Sequence, residues 1–250
     1  MANRIDLVRH PKKEGENEGL YLGTQAQITS EGWEETEVLI NRLMRMPHDV
    51  VVTSQIPRAI QLARVYAERL GNPEPESFEF FNEIDKPQWL VGLHRSDPIH
   101  VRVMKTIRDS FDSARVPLLT TDLQQEIACR LGLDLPLRIN VKGRRALEAQ
   151  MQRIFNYFDS LDANTALCVT HAKLIGAILH WQNSGQKSLK GFYQTTDRNY
   201  KFHTTGITTL VREPDRRTGE LHWHIEAVND TSHYDAAKHQ ELEELLKQLP

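Results

Sequence analysis

Ile5-Asp6-Leu7-Val8-Arg9-His10-Pro11 is the stretch from which the rest of the chain can be read. Ile5 to Val8 is a nearly continuous apolar, β-prone run, the pattern of a strand covered on both faces rather than one with a wet side. The run stops at a basic pair, Arg9 and His10, which therefore falls at the strand's carboxyl end. Val50 to Thr53 and Ala166 to Thr170 repeat the pattern, and Ser77 to Phe81 is a further β-prone run. Between them lie helix-period stretches: Ser30 to Met46, with Trp33, Ile40, Leu43 and Met44 on one stripe, Pro57 to Leu70, Leu147 to Leu161, and Ala172 to Trp181. Alternating strand and helix predict an α/β fold, a doubly wound, mostly parallel sheet with helices on both faces.

Outside this frame, Thr205 to Arg212 and Leu221 to Val228 flank a polar loop with Pro214 and Gly219, which predicts an antiparallel edge hairpin. From Pro87 to Gly143 the strand signal disappears. Pro98 to Ala114 and Thr121 to Leu131 have helical patterns, separated by Pro117 and ended by Gly132. The expectation is one domain over 1–250 with a helical insertion, 87–143, capping one face. Asp235 to Leu249 reads as a charged amphipathic helix on Leu242, Leu245, Leu246 and Leu249, an edge helix packed on the domain in preference to a partner-binding arm, and compatible with a monomer or a homodimer.

The chain has 31 Lys and Arg against 34 Asp and Glu among 250 residues, a formal charge of −3. Such a balance offers no global attraction to nucleic acid or acidic lipid, so any anion site must be local. No stretch approaches the roughly 20 apolar residues of a membrane span. The opening MANRIDLVRH enters a strand pattern instead of a signal-peptide apolar region, and a cytoplasmic location is expected. Cys129 and Cys168 are too few for a disulfide framework or a four-ligand zinc cage, and both are expected to be buried free thiols. His222 and His224 share a face of a strand pattern, which more often means a wet sheet surface than a metal site.

In an open α/β sheet, ligands bind outside the carboxyl ends of the strands. Arg9 and His10 sit at one such end. His171 closes a second strand, ALCVT, directly before a helix, so its ring and the amide of Ala172 meet the positive end of that helix dipole. Arg58 follows a third strand, VVVTS, in the first turn of a helix that Ser54 can cap and Pro57 can start. Two histidines and two arginines from three separate strand ends can converge on one point, and phosphate suits such a group. In the insertion, His94 and His100 with Arg95, Arg102, Lys105 and Arg108 either line an entrance to the crevice or form a solvated helix face.

Leu7-Val8-Arg9-His10, Ser54-Gln55-Ile56-Pro57-Arg58-Ala59-Ile60-Gln61-Leu62-Ala63, Asn82-Glu83-Ile84-Asp85 and Val169-Thr170-His171-Ala172 together resemble the histidine phosphatase superfamily, which includes the cofactor-dependent phosphoglycerate mutases. Gly23, Ile28-Thr29, Gly32, Gly206-Ile207-Thr208, Asn229-Asp230 and His233 extend the likeness over nearly all of the chain outside 87–143. The resemblance implies His10 as the nucleophile, Arg9, Arg58 and His171 as the phosphate clamp, and Glu83 as the proton donor to the leaving group, with Asp85 the next acid to consider. It implies a small-molecule phosphate ester as substrate, with no cofactor and no metal, the guanidinium groups supplying the charge that magnesium brings elsewhere. His10 must be neutral to attack, so its other nitrogen should donate to a fixed acceptor, with backbone the expected one. A phosphate dianion beside Glu83 favours the protonated acid, hence a mildly acidic optimum.

The first loop departs from the family. Where Arg-His-Gly is usual, followed by a Glu, a Ser or Thr and an Asn, this chain has Pro11, Lys12, Lys13 and Glu16. Pro11 keeps His10 extended but removes an amide. Glu16, rather than Asn17, takes the position where an amide side chain would touch phosphate, and a carboxylate there repels the ligand. Three arrangements answer this: a one-residue shift that presents Asn17, replacement by Lys12 and Lys13, or a smaller set of phosphate contacts. The readings that follow are a phosphomonoesterase, a mutase on phosphorylated small acids, and a catalytically weak phospho-ligand-binding protein. Hydrolysis asks less of an altered loop than mutase chemistry does.

Overall fold

The computed structural model describes residues 2–84, 90–112, 119–137, 143–199, 201–214 and 219–235. The strands are β1 (Arg4–Arg9), β2 (Val50–Ser54), β3 (Glu76–Phe78), β4 (Thr165–Thr170), β5 (Ile207–Pro214) and β6 (Leu221–Asp230). The helices are α1 (Ser30–Leu43), α2 (Pro57–Leu70), α3 (Pro98–Phe111), α4 (Thr121–Leu131), α5 (Arg144–Ser160), α6 (Ala172–Asn183) and α7 (Phe192–Asn199). The strands form one six-stranded sheet in the order β3-β2-β4-β1-β5-β6. β3, β2, β4 and β1 are mutually parallel, and β5 and β6 complete the other edge in antiparallel pairing.

Period-two alternation sends each strand's side chains into two separate cores. Ile5 and Leu7, Val52, and Ala166 and Cys168 join a cluster with Leu147, Ile154 and Phe158 of α5 and Ile175 and Ile178 of α6. Val8, Val51, Leu167 and Val169 face the other way, onto Leu39, Ile40 and Leu43 of α1 and Ala59, Leu62 and Tyr66 of α2. Continuous apolar runs were thus the correct sign of strands covered on both sides. A third cluster joins Ile99, Val103 and Ile107 of α3 to Leu123 and Ile127 of α4.

Several expectations need correction. Ser77 to Phe81 is not all strand: β3 ends at Phe78, and Glu79–Phe81 turns as a 3-10 segment that buries Phe81. α7 was not anticipated, because Phe192–Asn199 has apolar residues only at its start and no repeat to display. Cys129 is exposed on α4, while Cys168 is buried as expected. Ser54 does not cap α2, whose cap position is Ile56. The end of the terminal segment Asp235 to Leu249, from 236, lies outside the described residues, as does Asp85. No helix among the described residues is long and apolar enough to cross a membrane.

Within β1 an acidic side chain interrupts the apolar run. Asp6 is fully buried on the α1/α2 side, where His48 Nε2 donates to it at 2.9 Å, Thr209 Oγ1 at 2.6 Å and Arg4 Nε at 3.1 Å. Tyr66 Oη lies 2.8 Å from His48 Nδ1 and extends the chain of bonds. Burial alone raises the Asp6 pKa, but the bonds from His48, Thr209 and Arg4 outweigh it and the net shift is downward. Asp6→Ala, which strands His48 and Thr209, is expected to cost about 3–5 kcal/mol in urea denaturation at pH 7. A depressed folded-state pKa means the stabilisation is complete above the unfolded carboxyl's value of about 3.9 and fades as pH falls through the folded one. The gap between wild type and variant should therefore narrow on acidification. A variant within about 1 kcal/mol of wild type at pH 7 rules out this role.

Candidate active site

The parallel register sets the strand ends level: Arg9 lies opposite Thr170, and Thr53 opposite Val169. His10, Ser54 and His171 therefore emerge at one edge. The amide of His10 donates to the Thr170 carbonyl at 3.0 Å, carrying the parallel pairing one residue past β1. The His10 and His171 ring centroids are 5.0 Å apart, and both rings are buried. A cleft of about 210 Å³ opens here, with Arg9, His10, Arg58, Glu83 and Ala172 among its lining residues.

His10 Nδ1 lies 2.7 Å from the carbonyl oxygen of Pro11. A carbonyl only accepts, so Nδ1 carries the hydrogen and Nε2 of the neutral ring keeps its lone pair. Burial and the charges of Arg58, His171 and Arg9 hold the His10 pKa well below the usual histidine value. His171 is treated likewise, by burial and then by Arg58, Arg9 and Lys13. Arg58 Nη2 faces His171 Nδ1 at 3.5 Å, which makes Nδ1 the acceptor and Nε2–H the donor to Ser54 Oγ at 2.8 Å. Ser54 Oγ also accepts from the Ile56 amide at 3.3 Å. Its role is to fix the second histidine, which a sequence showing only a possible cap did not reveal.

The two arginines differ. Arg9 Nη1 donates to the Phe202 carbonyl at 2.6 Å, and Nη2 pairs with Glu16. Arg58 is 4% exposed and pairs with no carboxylate among the described residues. Its bonds are long ones, to the Gly23 and Thr24 carbonyls at 3.5 and 3.4 Å. Burial lowers the Arg58 pKa although Glu83 and Glu16 oppose it.

The unusual residues of the first loop are used in contacts of their own. Glu16 binds Arg9, Asn17 is exposed and does not line the cleft, and Lys12 Nζ is tied to Glu31 at 2.5 Å. Lys13 does line the cleft, and burial followed by the Arg58 charge lowers its pKa to about 8. The loop is pinned to α1: the Lys12 amide donates to Glu35 at 2.9 Å, and Thr29, the cap of α1, donates its amide to the Lys12 carbonyl at 3.1 Å. Gly32 is needed here, since a Cβ on it would sit 2.2 Å from that carbonyl oxygen.

Glu83 lines the cleft and accepts from the Ile84 amide at 3.1 Å. Ala172 opens α6, so its amide has no intrahelical partner, and the residue lines the cleft at the positive end of the helix dipole. Tyr21, Thr24 and Lys173 also line the cleft without having been singled out from sequence. Among the described residues of the insertion, Arg95 alone does so. His100 is buried beside Tyr21, and Arg102 pairs with Glu126 on the surface. His222 lies 3.7 Å from Glu220, away from any cluster of metal-ligating side chains among the described residues.

Fold and cleft together define an α/β protein with two histidines and two arginines gathered at the carboxyl ends of its parallel strands. Residues 5–113 match the family described as the histidine phosphatase superfamily (branch 1). No curated protein matches the chain in sequence. Among known structures, a mutant phosphoserine phosphatase from Entamoeba histolytica with phosphoserine superposes with a TM-score of 0.63 at 16% identity, over 92% of this chain and 98% of that one. The α-ribazole phosphatase from Shigella flexneri gives 0.61 at 16% identity, over 91% and 96%. The mycobacterial glucosyl-3-phosphoglycerate phosphatase gives 0.63 at 14% identity, over 92% and 100%. At these identities the structural likeness speaks for the fold. The family match is confined to residues 5–113, and over nearly the whole chain the fold is the one these phosphatases share.

Proposed function

We propose that this protein is a metal-independent phosphomonoesterase that carries its substrate's phosphoryl group on His10 and releases it to water. The observation that carries the reading is the tautomer of His10, whose Nδ1–H is fixed on the Pro11 carbonyl while Nε2 remains a bare lone pair. That nitrogen attacks phosphorus, and the P–O bond to the alcohol breaks in line. Arg58 and Arg9 meet the charge on the equatorial oxygens, with the Ala172 amide and Lys13 as further contacts. As the dianion arrives it offsets the cations that keep His171 neutral, so His171 Nδ1 can take a proton and donate to the same oxygens. Glu83 protonates the departing alkoxide and then, as a carboxylate, draws a proton from the water that attacks the phosphohistidine.

Residues 87–143 act in this reading as a helical cap over one domain. Hydrolysis is favoured over mutase chemistry because Glu16 takes up Arg9, leaving the first loop fewer free contacts for a doubly phosphorylated intermediate.

The test is to mix the protein with a ³²P-labelled phosphate monoester and quench in alkali. Protein-bound label that survives base and is lost in acid is expected, together with free phosphate as the product. Label passed to a second hydroxy acid with no phosphate release would make the protein a mutase. Absence of bound label during turnover overturns the phosphohistidine.

A further inference from the structure

Arg9 is tied to the loop 201–206, which joins α7 to β5, through both its main chain and its side chain. The Phe202 carbonyl accepts from Arg9 Nη1 at 2.6 Å. The Thr205 amide donates to the Arg9 carbonyl at 3.1 Å, and the Arg9 amide donates to the Gly206 carbonyl at 3.3 Å. Where this loop sits therefore decides where the guanidinium can reach.

The loop does not take its shape from its own preference. Thr205 is fully buried with φ at 55°, in the left-handed region that a β-branched residue rarely enters, so surrounding structure must hold it there. That structure is the end of β6 and the turn beyond it. Tyr234 Oη lies 3.2 Å from the Thr204 carbonyl and 2.5 Å from Thr205 Oγ1, and His233 Nε2 lies 3.2 Å from the same hydroxyl. A carbonyl only accepts, so Tyr234 donates to Thr204, Thr205 Oγ1 donates to Tyr234, and His233 Nε2–H donates to Thr205. His233 Nδ1 then accepts from Arg42 Nη1 at 3.3 Å, while Arg42 Nη2 pairs with Asp230. Burial, followed by the Arg42 charge, lowers the His233 pKa to about 4 and keeps the ring in this neutral form. Asn229 secures the other half of the loop: Oδ1 accepts from the His203 amide at 2.8 Å, and Nδ2 donates to the Lys201 carbonyl at 2.9 Å. The fit is close enough that a Cβ on Gly206 would stand 2.2 Å from Asn229 Oδ1. Neither Asn229 nor His233 lines the cleft.

Resting on the phosphomonoesterase reading above, we propose that Asn229 and His233 are positioning residues for Arg9: they fix the loop 201–206, and the loop holds the guanidinium against the phosphoryl oxygens. Their contribution to turnover passes through one side chain and vanishes when that side chain is removed.

A double-mutant cycle with Arg9→Met tests this, with p-nitrophenyl phosphate as substrate. His233→Phe keeps a ring in the buried position and deletes both of its hydrogen bonds. Asn229→Gly keeps the left-handed backbone, φ 53°, without strain and deletes both amide contacts, so the loop is reached from two sides should one variant fail to fold. Each is expected to lower kcat/KM roughly tenfold to a hundredfold in the wild-type chain, as a clamp displaced by about 1 Å does, but less than about twofold once Arg9 is Met. His233→Gln, whose amide can still donate to Thr205, should recover part of the loss. The same cycle on affinity for inorganic phosphate, by calorimetric titration, reads the coupling without turnover. Losses of equal size with and without Arg9, or no loss in the folded variants, overturn the inference and leave the phosphatase reading standing. A wild-type chain that hydrolyses no monoester but shows the coupling in phosphate binding supports the bracing of Arg9 and overturns the phosphatase reading alone.

Discussion

His10→Ala is expected to lower kcat/KM for any phosphate monoester by roughly five orders of magnitude or more, as removal of a nucleophile does where no other group takes its place. No substitute is at hand among the described residues. His171 Nε2 is committed to Ser54 and its Nδ1 faces Arg58, so the second ring is oriented to hold oxygens, not to attack. Cys168 is buried within β4, with its thiol pKa raised by burial. The nitrogen lost is also a prepared one, since burial and neighbouring cations keep His10 neutral well below its ordinary pKa. The variant should still bind inorganic phosphate within a few-fold of wild type, because Arg58, Lys13 and the Ala172 amide are untouched, and calorimetric titration measures this. Turnover within about a hundredfold of wild type, with phosphate binding intact, would mean that water attacks phosphorus directly in this cleft.

Much of this was legible before any coordinates, and the reason is periodicity. β1, β2 and β4 announce themselves because Ile5, Leu7 and Val8, Val51 and Val52, and Leu167 and Val169 must cover both faces of the sheet. α2 and α4 begin and end where their proline, threonine and glycine signals place them. With the strands known, the crevice rule brings Arg9, His10, Arg58 and His171 to one edge. What the sequence hid are contacts between residues with no periodic relation. The pairing of Glu16 with Arg9, which turns an apparent repulsion into a neutralised clamp residue, depends on how one loop folds back seven positions. Ser54 beneath His171, at a sequence separation of 117, looks like a helix cap until β2 and β4 are seen side by side. Asp6 reads as a flaw in an apolar strand, and only His48 and Thr209 explain it. Arg95 was one of several basic residues in the insertion, and its hydrogen-bonded link to the first loop is what separates it from the others.

Arg58→Met should move activity and stability apart. Arg58 occupies a buried position without a carboxylate partner, its Nε bonded to nothing and its other nitrogens at 3.4 to 3.5 Å from their acceptors. A guanidinium so poorly satisfied is a burden on the folded state, which its lowered pKa reflects, with burial as the leading cause. In the proposed reaction the burden becomes an asset at the transition state. The equatorial oxygens carry spread negative charge, and a cation already stripped of water meets it without reorganising solvent. Removing an arginine in that role costs about three to five orders of magnitude in rate. Arg58→Lys should recover only a minor part, because one ammonium cannot span two oxygens as the planar fork does. The thermal midpoint of Arg58→Met should equal or exceed that of wild type, since methionine keeps the apolar stem and discards an uncompensated charge. A midpoint several degrees lower, or a rate loss below about tenfold, would recast Arg58 as a structural residue and leave the phosphoryl oxygens to Arg9 and Lys13.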